Sequence, residues 1–194
     1  MPMIGCQTYT WEMLGGGWTG NADDLLQAIG DAGYAGIEIT DRMIGSYFER
    51  PRDFAQALKS RGLTLVAFAL GSDSGYTEPG AMKHDLAAVD RALRFLAEFP
   101  GAFLSLGSAT VMSPGPSDGK FETAAKIYNA AAAAGKRMGV PVAFHPSSHH
   151  NTLLGTRAEY DRIMELTDPA LIGWVPDTGH MLRGGHDTRD TLSA

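Results

Sequence analysis

Three apolar runs of the sequence contain, or lead into, side chains that could bind a metal ion or move a proton. Glu38 lies at the centre of Gly-Ile-Glu-Ile-Thr, His145 ends Val-Ala-Phe-His, and Asp177 follows Leu-Ile-Gly-Trp-Val-Pro, with His180 three residues later. Imidazole and carboxylate groups can share a divalent cation and leave its other positions open to water and substrate. A carboxylate among apolar neighbours suits proton transfer next to a carbonyl. The pattern predicts Asp177 and His145 as metal ligands and Glu38 and His180 as acid or base groups.

Each of these residues also has a plainer interpretation. Glu38 could form a salt bridge with Arg42 or another neighbour, and a histidine at a strand end is often a hydrogen-bonded structural residue. His145 could contact the substrate rather than the metal. His180 could contact the metal or the substrate, or could hold a neighbouring ligand in place. Further polar side chains follow the same apolar runs, and from them we expect substrate contacts by Gln7, Tyr9 and His149, with Ser147 and His150 nearby.

Other chemistry is poorly supported. The sequence has no G-x-S-x-G segment of the serine hydrolases, and its single cysteine excludes a zinc finger. We expect Cys6 to pack within a strand, and His84 and His186 to lie at the surface. Gly15-Gly-Gly17 follows an early strand without the lysine of a phosphate-binding loop, so it is read as a flexible loop over a site.

The elements that must position these residues alternate along the chain. Apolar runs predict six strands, and helical periodicity with capping residues predicts the helices between them. The strands are expected at about 3–8, 36–40, 63–70, 102–107, 140–145 and 171–176, and the helices at about 21–30, 51–61, 81–99, 122–138 and 157–166, with a sixth helix starting near 187.

A helix between each pair of apolar strands predicts a parallel sheet covered by helices. Two architectures compete, a doubly wound open sheet and a TIM (β/α)8-type barrel. Gly30, Gly33 and Gly36 end a helix and precede a strand, which is the wrong place for a dinucleotide-binding turn. In either architecture, functional side chains gather at the carboxyl ends of the strands.

Four segments together carry a family resemblance: Ile4-Gly-Cys-Gln-Thr-Tyr-Thr-Trp11, Gly36-Ile-Glu-Ile-Thr40, Gly139-Val-Pro-Val-Ala-Phe-His-Pro146 and Pro176-Asp-Thr-Gly-His180. The chain resembles the sugar phosphate isomerase/epimerase family of xylose isomerase-like TIM barrels, in particular its inosose dehydratase branch. The resemblance implies an eight-stranded barrel with a divalent metal ion (Mn, Co, Zn or Mg) at its carboxyl face. It also implies isomerisation, epimerisation or dehydration of a sugar or polyol by proton transfer next to a carbonyl.

The resemblance extends to individual residues. Asp177 matches the ligand aspartate after strand six, His180 the histidine that follows it, and Glu38 a glutamate at the end of strand two. Where much of the family has a glutamate after strand five, this chain has His145, similar to the H-x-H stretch of the inosose dehydratases, with Ser147 at the second histidine. The family's ligands after strands seven and eight have no counterpart in this sequence.

Composition limits the partners. With 16 Lys and Arg against 22 Asp and Glu, the chain has a net charge of −6 and no basic cluster, so nucleic acid and the family's DNA-repair endonuclease branch are disfavoured. No apolar run reaches the length of a membrane span, and the N-terminal segment lacks the pattern of a signal peptide. One cysteine fits a reducing cytoplasm. The expected partner is a small sugar or polyol.

Length adds a further expectation. Eight strand and helix units need roughly 250 residues, and this chain has 194. We therefore expect a single domain over 1–194 with about six units, lacking the last two, and with the last helix cut short at Ala194. The free edges of the first and sixth strands would favour self-association. The alternative to an enzyme is a non-catalytic barrel fragment that binds polyols weakly.

Overall fold

A computed structural model of the protein describes residues 3–193, and Met1, Pro2 and Ala194, with the predicted helix end at that residue, lie outside the described part. Six parallel strands form one sheet in which each pairs with the next along the chain. The alternation predicted from the sequence is confirmed. The strands are β1 (Gly5–Gln7), β2 (Gly36–Thr40), β3 (Thr64–Leu70), β4 (Phe103–Leu106), β5 (Val142–Phe144) and β6 (Gly173–Trp174).

Helices follow every strand. Short 3₁₀ turns add to them at Gly15–Gly17, Gly45–Glu49 and Pro79–Ala81. The α-helices are α1 (Tyr9–Glu12), α2 (Ala22–Asp31), α3 (Pro51–Ser60), α4 (Met82–Leu96), α5 (Ser117–Met138), α6 (Arg157–Leu166), α7 (Thr178–Arg183) and α8 (Thr188–Ser193).

Local sequence signals set several helix ends. Asn21 and Asp24 form a reciprocal capping box at the start of α2, and Thr156 and Glu159 form another at the start of α6. Gly139 ends α5 in the left-handed conformation, with φ of 71°. Because each of these signals acts over a few residues, sequence alone predicted them.

The two faces of the sheet differ in size and polarity. One face carries large apolar side chains such as Ile39, Phe68 and Leu104, which are fully buried in the main core. The residues that alternate with these along the strands, including Glu38 and Ser105, line a cavity on the other face. Small and polar side chains on that face leave room for a ligand, whereas the helices pack against the apolar face.

Three details of the elements differ from expectation. The helix α5 begins at Ser117 rather than near Glu122, because Pro116 supplies an extended residue just before its first turn. The strand β1 is largely exposed rather than buried on both faces, since among residues 3–193 it pairs only with β2. Gly15–Gly17 forms an exposed 3₁₀ turn, and no residue of that turn lines the cavity.

The prediction of a surface position for His186 is wrong. Its side chain is buried, its Nε2 lies 2.8 Å from the Gly155 carbonyl oxygen, and its ring centroid lies 4.5 Å from that of Tyr160. Its Nδ1 lies 3.3 Å from Thr191 Oγ1. His186 thus ties the last helix to the core, and His84 is exposed on α4 as expected.

Among residues 3–193, no helix combines the length and the apolar character that crossing a bilayer requires.

Candidate active site

A cavity of about 380 Å³ opens at the carboxyl ends of the strands. This volume is within the range of small-molecule sites. The residues predicted to be functional gather here from both ends of the sequence. Its lining includes Gln7, Tyr9, Glu12, Glu38, Thr40, Asp41, Arg42, Ser72, Tyr76, Ser105, Ser108, His145, Ser147, His149, His150, Asp177 and His180.

His145, Asp177 and His180 form a cluster on one side of this cavity. Asp177 Oδ2 lies 3.4 Å from His145 Nε2 and 3.9 Å from His180 Nε2. Each of the three residues offers a ligand atom, and these atoms lie within 4.8 Å of one another. A divalent cation between them would be within reach of all three side chains.

The backbone places this cluster. Asp177 is the N-cap of α7, and its Oδ1 accepts a 2.8 Å hydrogen bond from the His180 backbone N–H. This cap holds one carboxylate oxygen, so that the other faces the imidazoles. His145 directly follows β5, whose neighbour β6 leads to Asp177. The short helix α7, which sequence reasoning missed, thus brings Asp177 and His180 together.

The electrostatics favour the protonation states that bind metals. Burial alone would raise the pKa of Asp177, but the His180 N–H and the nearby His180 and His145 imidazoles hold that pKa below its usual range. Burial lowers the pKa of His180, and the neighbouring imidazoles of His149 and His145 lower it further, against the opposing effect of Asp177. A carboxylate anion and a neutral imidazole are the forms that coordinate cations.

The donor set also limits which metal fits. Two imidazole nitrogens and one carboxylate oxygen suit Zn²⁺, Co²⁺ or Mn²⁺, whereas Mg²⁺ prefers oxygen ligands throughout. A site whose protein ligands leave further positions open is typical of catalytic rather than structural zinc sites. The residues therefore fit a divalent transition metal ion.

Gln7 ends β1, and Glu38 lies opposite it in the middle of the neighbouring strand β2. Gln7 Nε2 donates a 2.9 Å hydrogen bond to Glu38 Oε1, and Glu38 is half-buried rather than enclosed. The alternative of an ion pair between Glu38 and Arg42 is wrong for the described structure, where Arg42 lies 3.8 Å from Glu12 and 3.9 Å from Asp73. Glu38 thus keeps its second carboxylate oxygen for the cavity.

The loop after β5 brings two further histidines to the cavity. His149 and His150 both line its mouth and are exposed. The ring centroid of His149 lies 4.9 Å from that of His180 and 6.3 Å from that of Tyr9. The predicted substrate-contact residues Tyr9 and His149 therefore lie side by side, and His150 also lines the cavity.

Sequence reasoning missed an acidic group across the cavity. Glu12 Oε2 accepts a 2.8 Å hydrogen bond from Thr40 Oγ1. Burial raises the pKa of Asp41, with Arg42 opposing and Glu12 adding to that rise. Asp41 directly follows β2 and could have been found by its place at the strand end, whereas nothing in the sequence marks Glu12.

Comparison with known proteins assigns the chain to a family. The xylose isomerase-like TIM barrel family matches residues 26–193. The chain belongs to this family. The prediction of a xylose isomerase-like α/β fold with six parallel strands is therefore confirmed.

Relatives of this chain include inosose dehydratases. An inosose dehydratase from Lactiplantibacillus plantarum is 26% identical over 184 residues, which cover 90% of this chain and 60% of that enzyme. The chain thus spans about three fifths of the length of that relative.

Solved structures share the fold at low identity. The zinc-bound IolI protein superposes with a TM-score of 0.78 at 14% identity, covering 100% of this chain and 69% of that chain. The 3-keto-D-glucoside 4-epimerase from E. coli superposes with a TM-score of 0.71 at 19% identity, covering 97% of this chain and 74% of that chain.

Proposed function

We propose that this protein catalyses metal-assisted proton transfer next to the carbonyl of a sugar or polyol, as an isomerase, epimerase or dehydratase. The observation that carries the proposal is the cluster of His145, Asp177 and His180, which opens into the same cavity as Glu38. The names of the relatives, an inosose dehydratase and a keto-glucoside epimerase, support this class of substrate.

In this proposal His145 and Asp177 hold the metal ion, which when bound supplies a positive charge that polarises carbonyl or enediolate oxygens. Glu38 exchanges the proton at the carbon next to the carbonyl, because Gln7 engages one carboxylate oxygen and leaves the other facing the cavity. His180 exchanges a proton with a substrate oxygen from the side of Asp177.

Three side chains around the cavity would orient the substrate. Gln7, Tyr9 and His149 offer hydrogen-bonding groups to its hydroxyls, and the aromatic rings of Tyr9 and His149 form the wall at the cavity mouth. Small residues on the inner face of the sheet, such as Ser105, leave space for the ring of a polyol.

Deuterium incorporation tests the proton transfer directly. The full chain is incubated with Mn²⁺ and an inosose or a 3-keto-glucoside in D₂O, and exchange at the carbon next to the carbonyl is followed by NMR. Wild type should incorporate deuterium, and Glu38→Gln should lower the rate by about 100-fold or more. The matched control His84→Gln changes an exposed residue of α4 and should exchange like wild type. Equal rates in wild type and Glu38→Gln would contradict the assignment.

The second candidate is a non-catalytic domain that binds polyols. It is favoured by the three metal-ligand side chains that the described residues bring together, fewer than the four ligands that the family resemblance implies. Calorimetric titration with an inosose separates the two candidates. Binding without deuterium exchange in the presence of Mn²⁺ would support the binding domain and contradict the enzyme.

We also propose that residues 1–194 act as one domain that self-associates in a reducing cytoplasm. Among residues 3–193, β1 pairs only with β2 and β6 only with β5, and Ile4 beside β1 is 67% exposed. Free edges of this kind favour association. Sedimentation velocity should show oligomers that Ile4→Lys reduces, and a monomer at all concentrations would contradict the proposal.

A further inference from the structure

Ser148, in the loop after β5, makes two contacts with one nitrogen of His180. The Ser148 backbone N lies 3.2 Å from His180 Nδ1, and the Ser148 Oγ lies 3.0 Å from the same atom. A backbone N–H can only donate a hydrogen bond. Nδ1 must therefore accept, which leaves its lone pair facing Ser148 and no hydrogen on that nitrogen.

The other ring nitrogen of His180 then carries the hydrogen. A neutral imidazole has one N–H, so acceptance at Nδ1 places it on Nε2. Nε2 lies 3.9 Å from Asp177 Oδ2, which is too long for a hydrogen bond, and His180 lines the cavity. The Nε2–H is thus free to donate to a molecule in the cavity.

We propose that Ser148 is a positioning residue that fixes this tautomer of His180 and so makes it a hydrogen-bond donor to a substrate oxygen rather than a metal ligand. An imidazole binds a metal through its unprotonated nitrogen, and in His180 that nitrogen faces Ser148. The metal is left to His145 and Asp177, whose Nε2 and Oδ2 lie 3.4 Å apart. The role of this donor in turnover rests on the proposed function, whereas the tautomer itself does not.

Nitrogen NMR of the uniformly ¹⁵N-labelled full chain without metal tests the inference. At pH 8, His180 Nδ1 should resonate as an unprotonated nitrogen and Nε2 as a protonated one, with His180→Gln used to assign the signals. A scalar coupling across the hydrogen bond should connect the Ser148 amide nitrogen to His180 Nδ1. A protonated Nδ1 without that coupling would overturn the inference.

The contribution of the hydroxyl is tested with neighbouring serines. Ser148→Ala removes one of the two donors to Nδ1 and should lower the ratio of the Nε2–H to the Nδ1–H tautomer about fivefold. Ser147→Ala is the matched control, because the contacts of Ser147 in this loop run from its backbone N–H to Ser108 Oγ. An equal ratio in Ser148→Ala and wild type would refute a role for the hydroxyl. If Ser148→Ala fails to fold, the coupling in wild type still decides.

Zinc titration separates this inference from the proposed function. Loss of His145 in His145→Gln should weaken Zn²⁺ binding by more than about tenfold, whereas His180→Gln should keep the wild-type affinity within about threefold. A tenfold loss in His180→Gln would show that His180 is a ligand and would overturn the inference. If wild type bound no Zn²⁺, the proposed function would fail, while the NMR coupling would still test the tautomer.

Discussion

A buried carboxylate on α4 holds the loop that follows β3 and forms part of the cavity wall. Asp85 is 3% exposed, and its two oxygens accept hydrogen bonds from Ser72 Oγ at 2.7 Å and Ser74 Oγ at 2.6 Å. Ser74 Oγ also accepts from the Tyr76 backbone N–H at 3.1 Å. Asp85→Ala should therefore destabilise the fold and loosen the loop beside the candidate site.

The size of this effect follows from the contacts. A hydrogen bond to a charged group contributes about 1.5–3 kcal/mol. The two serine hydroxyls lie 2.9 Å apart and can partly satisfy each other once the carboxylate is gone, so Asp85→Ala should cost about 2–4 kcal/mol. Asp85→Asn keeps one acceptor oxygen, and its amide can donate to the other hydroxyl, which limits the cost to about 1 kcal/mol.

Urea unfolding followed by circular dichroism measures these costs. With a urea dependence of about 2 kcal/mol per molar, the midpoint should fall by about 1–2 M in Asp85→Ala and about 0.5 M in Asp85→Asn. Asp90→Ala is the control on the same helix, where it removes only an exposed ion pair with Arg94 and should change the midpoint little. If Asp85→Ala shifted the midpoint no more than Asp90→Ala, the structural role of the carboxylate would be refuted.

Two further predictions concern packing and pH. A Cβ added at Gly135 in α5 would lie 2.5 Å from Val140 O and Val142 Cγ2, so Gly135→Ala should destabilise the fold by about 1–3 kcal/mol. A Cβ at Gly119 of the same helix meets open space, so Gly119→Ala should stabilise the fold by about 0.5 kcal/mol. Thermal unfolding compares the two, and equal shifts would be inconsistent with this packing. The pKa of His180 is lowered, chiefly by burial, so protonation disfavours the native state. The contribution of neutral His180 to the stability of the fold is fully present above the pKa of an unfolded histidine, about 6.5. It is lost as the pH falls through the lower pKa of His180 in the native state. The loss of stability on acidification from about pH 7 to 5 should be smaller in His180→Gln than in wild type, and identical slopes would contradict the shift.

The fold could be predicted where its signals are local. The apolar runs gave the six strands, and residues such as Asn21, Thr156 and Gly139 gave helix ends, because capping and periodicity act within one or two turns. Functional side chains in parallel sheets follow the carboxyl ends of the strands, and this rule predicted that Asp177 and His145 share one site. Both residues line the cavity.

The remaining features depend on contacts between distant residues. His186 is buried because Gly155, 31 residues away, accepts its hydrogen bond, and no short pattern carries that information. Glu12 reaches the cavity only through the short helix α1 and its bond to Thr40. Ser148 looks like an ordinary loop serine until the fold places it against His180, 32 residues further on.

The most direct test of the proposed function is calorimetric titration of the full chain with Mn²⁺. Wild type should bind one ion per chain, since His145 Nε2 and Asp177 Oδ2 lie 3.4 Å apart on one side of the cavity and form a single site. Asp177→Asn removes the central charge and should weaken binding by more than about tenfold, with His84→Gln as the control. Saturable binding that Asp177→Asn weakens is the predicted result. An absence of heat with wild type, or equal affinities in wild type and Asp177→Asn, would contradict a metal centre at this site.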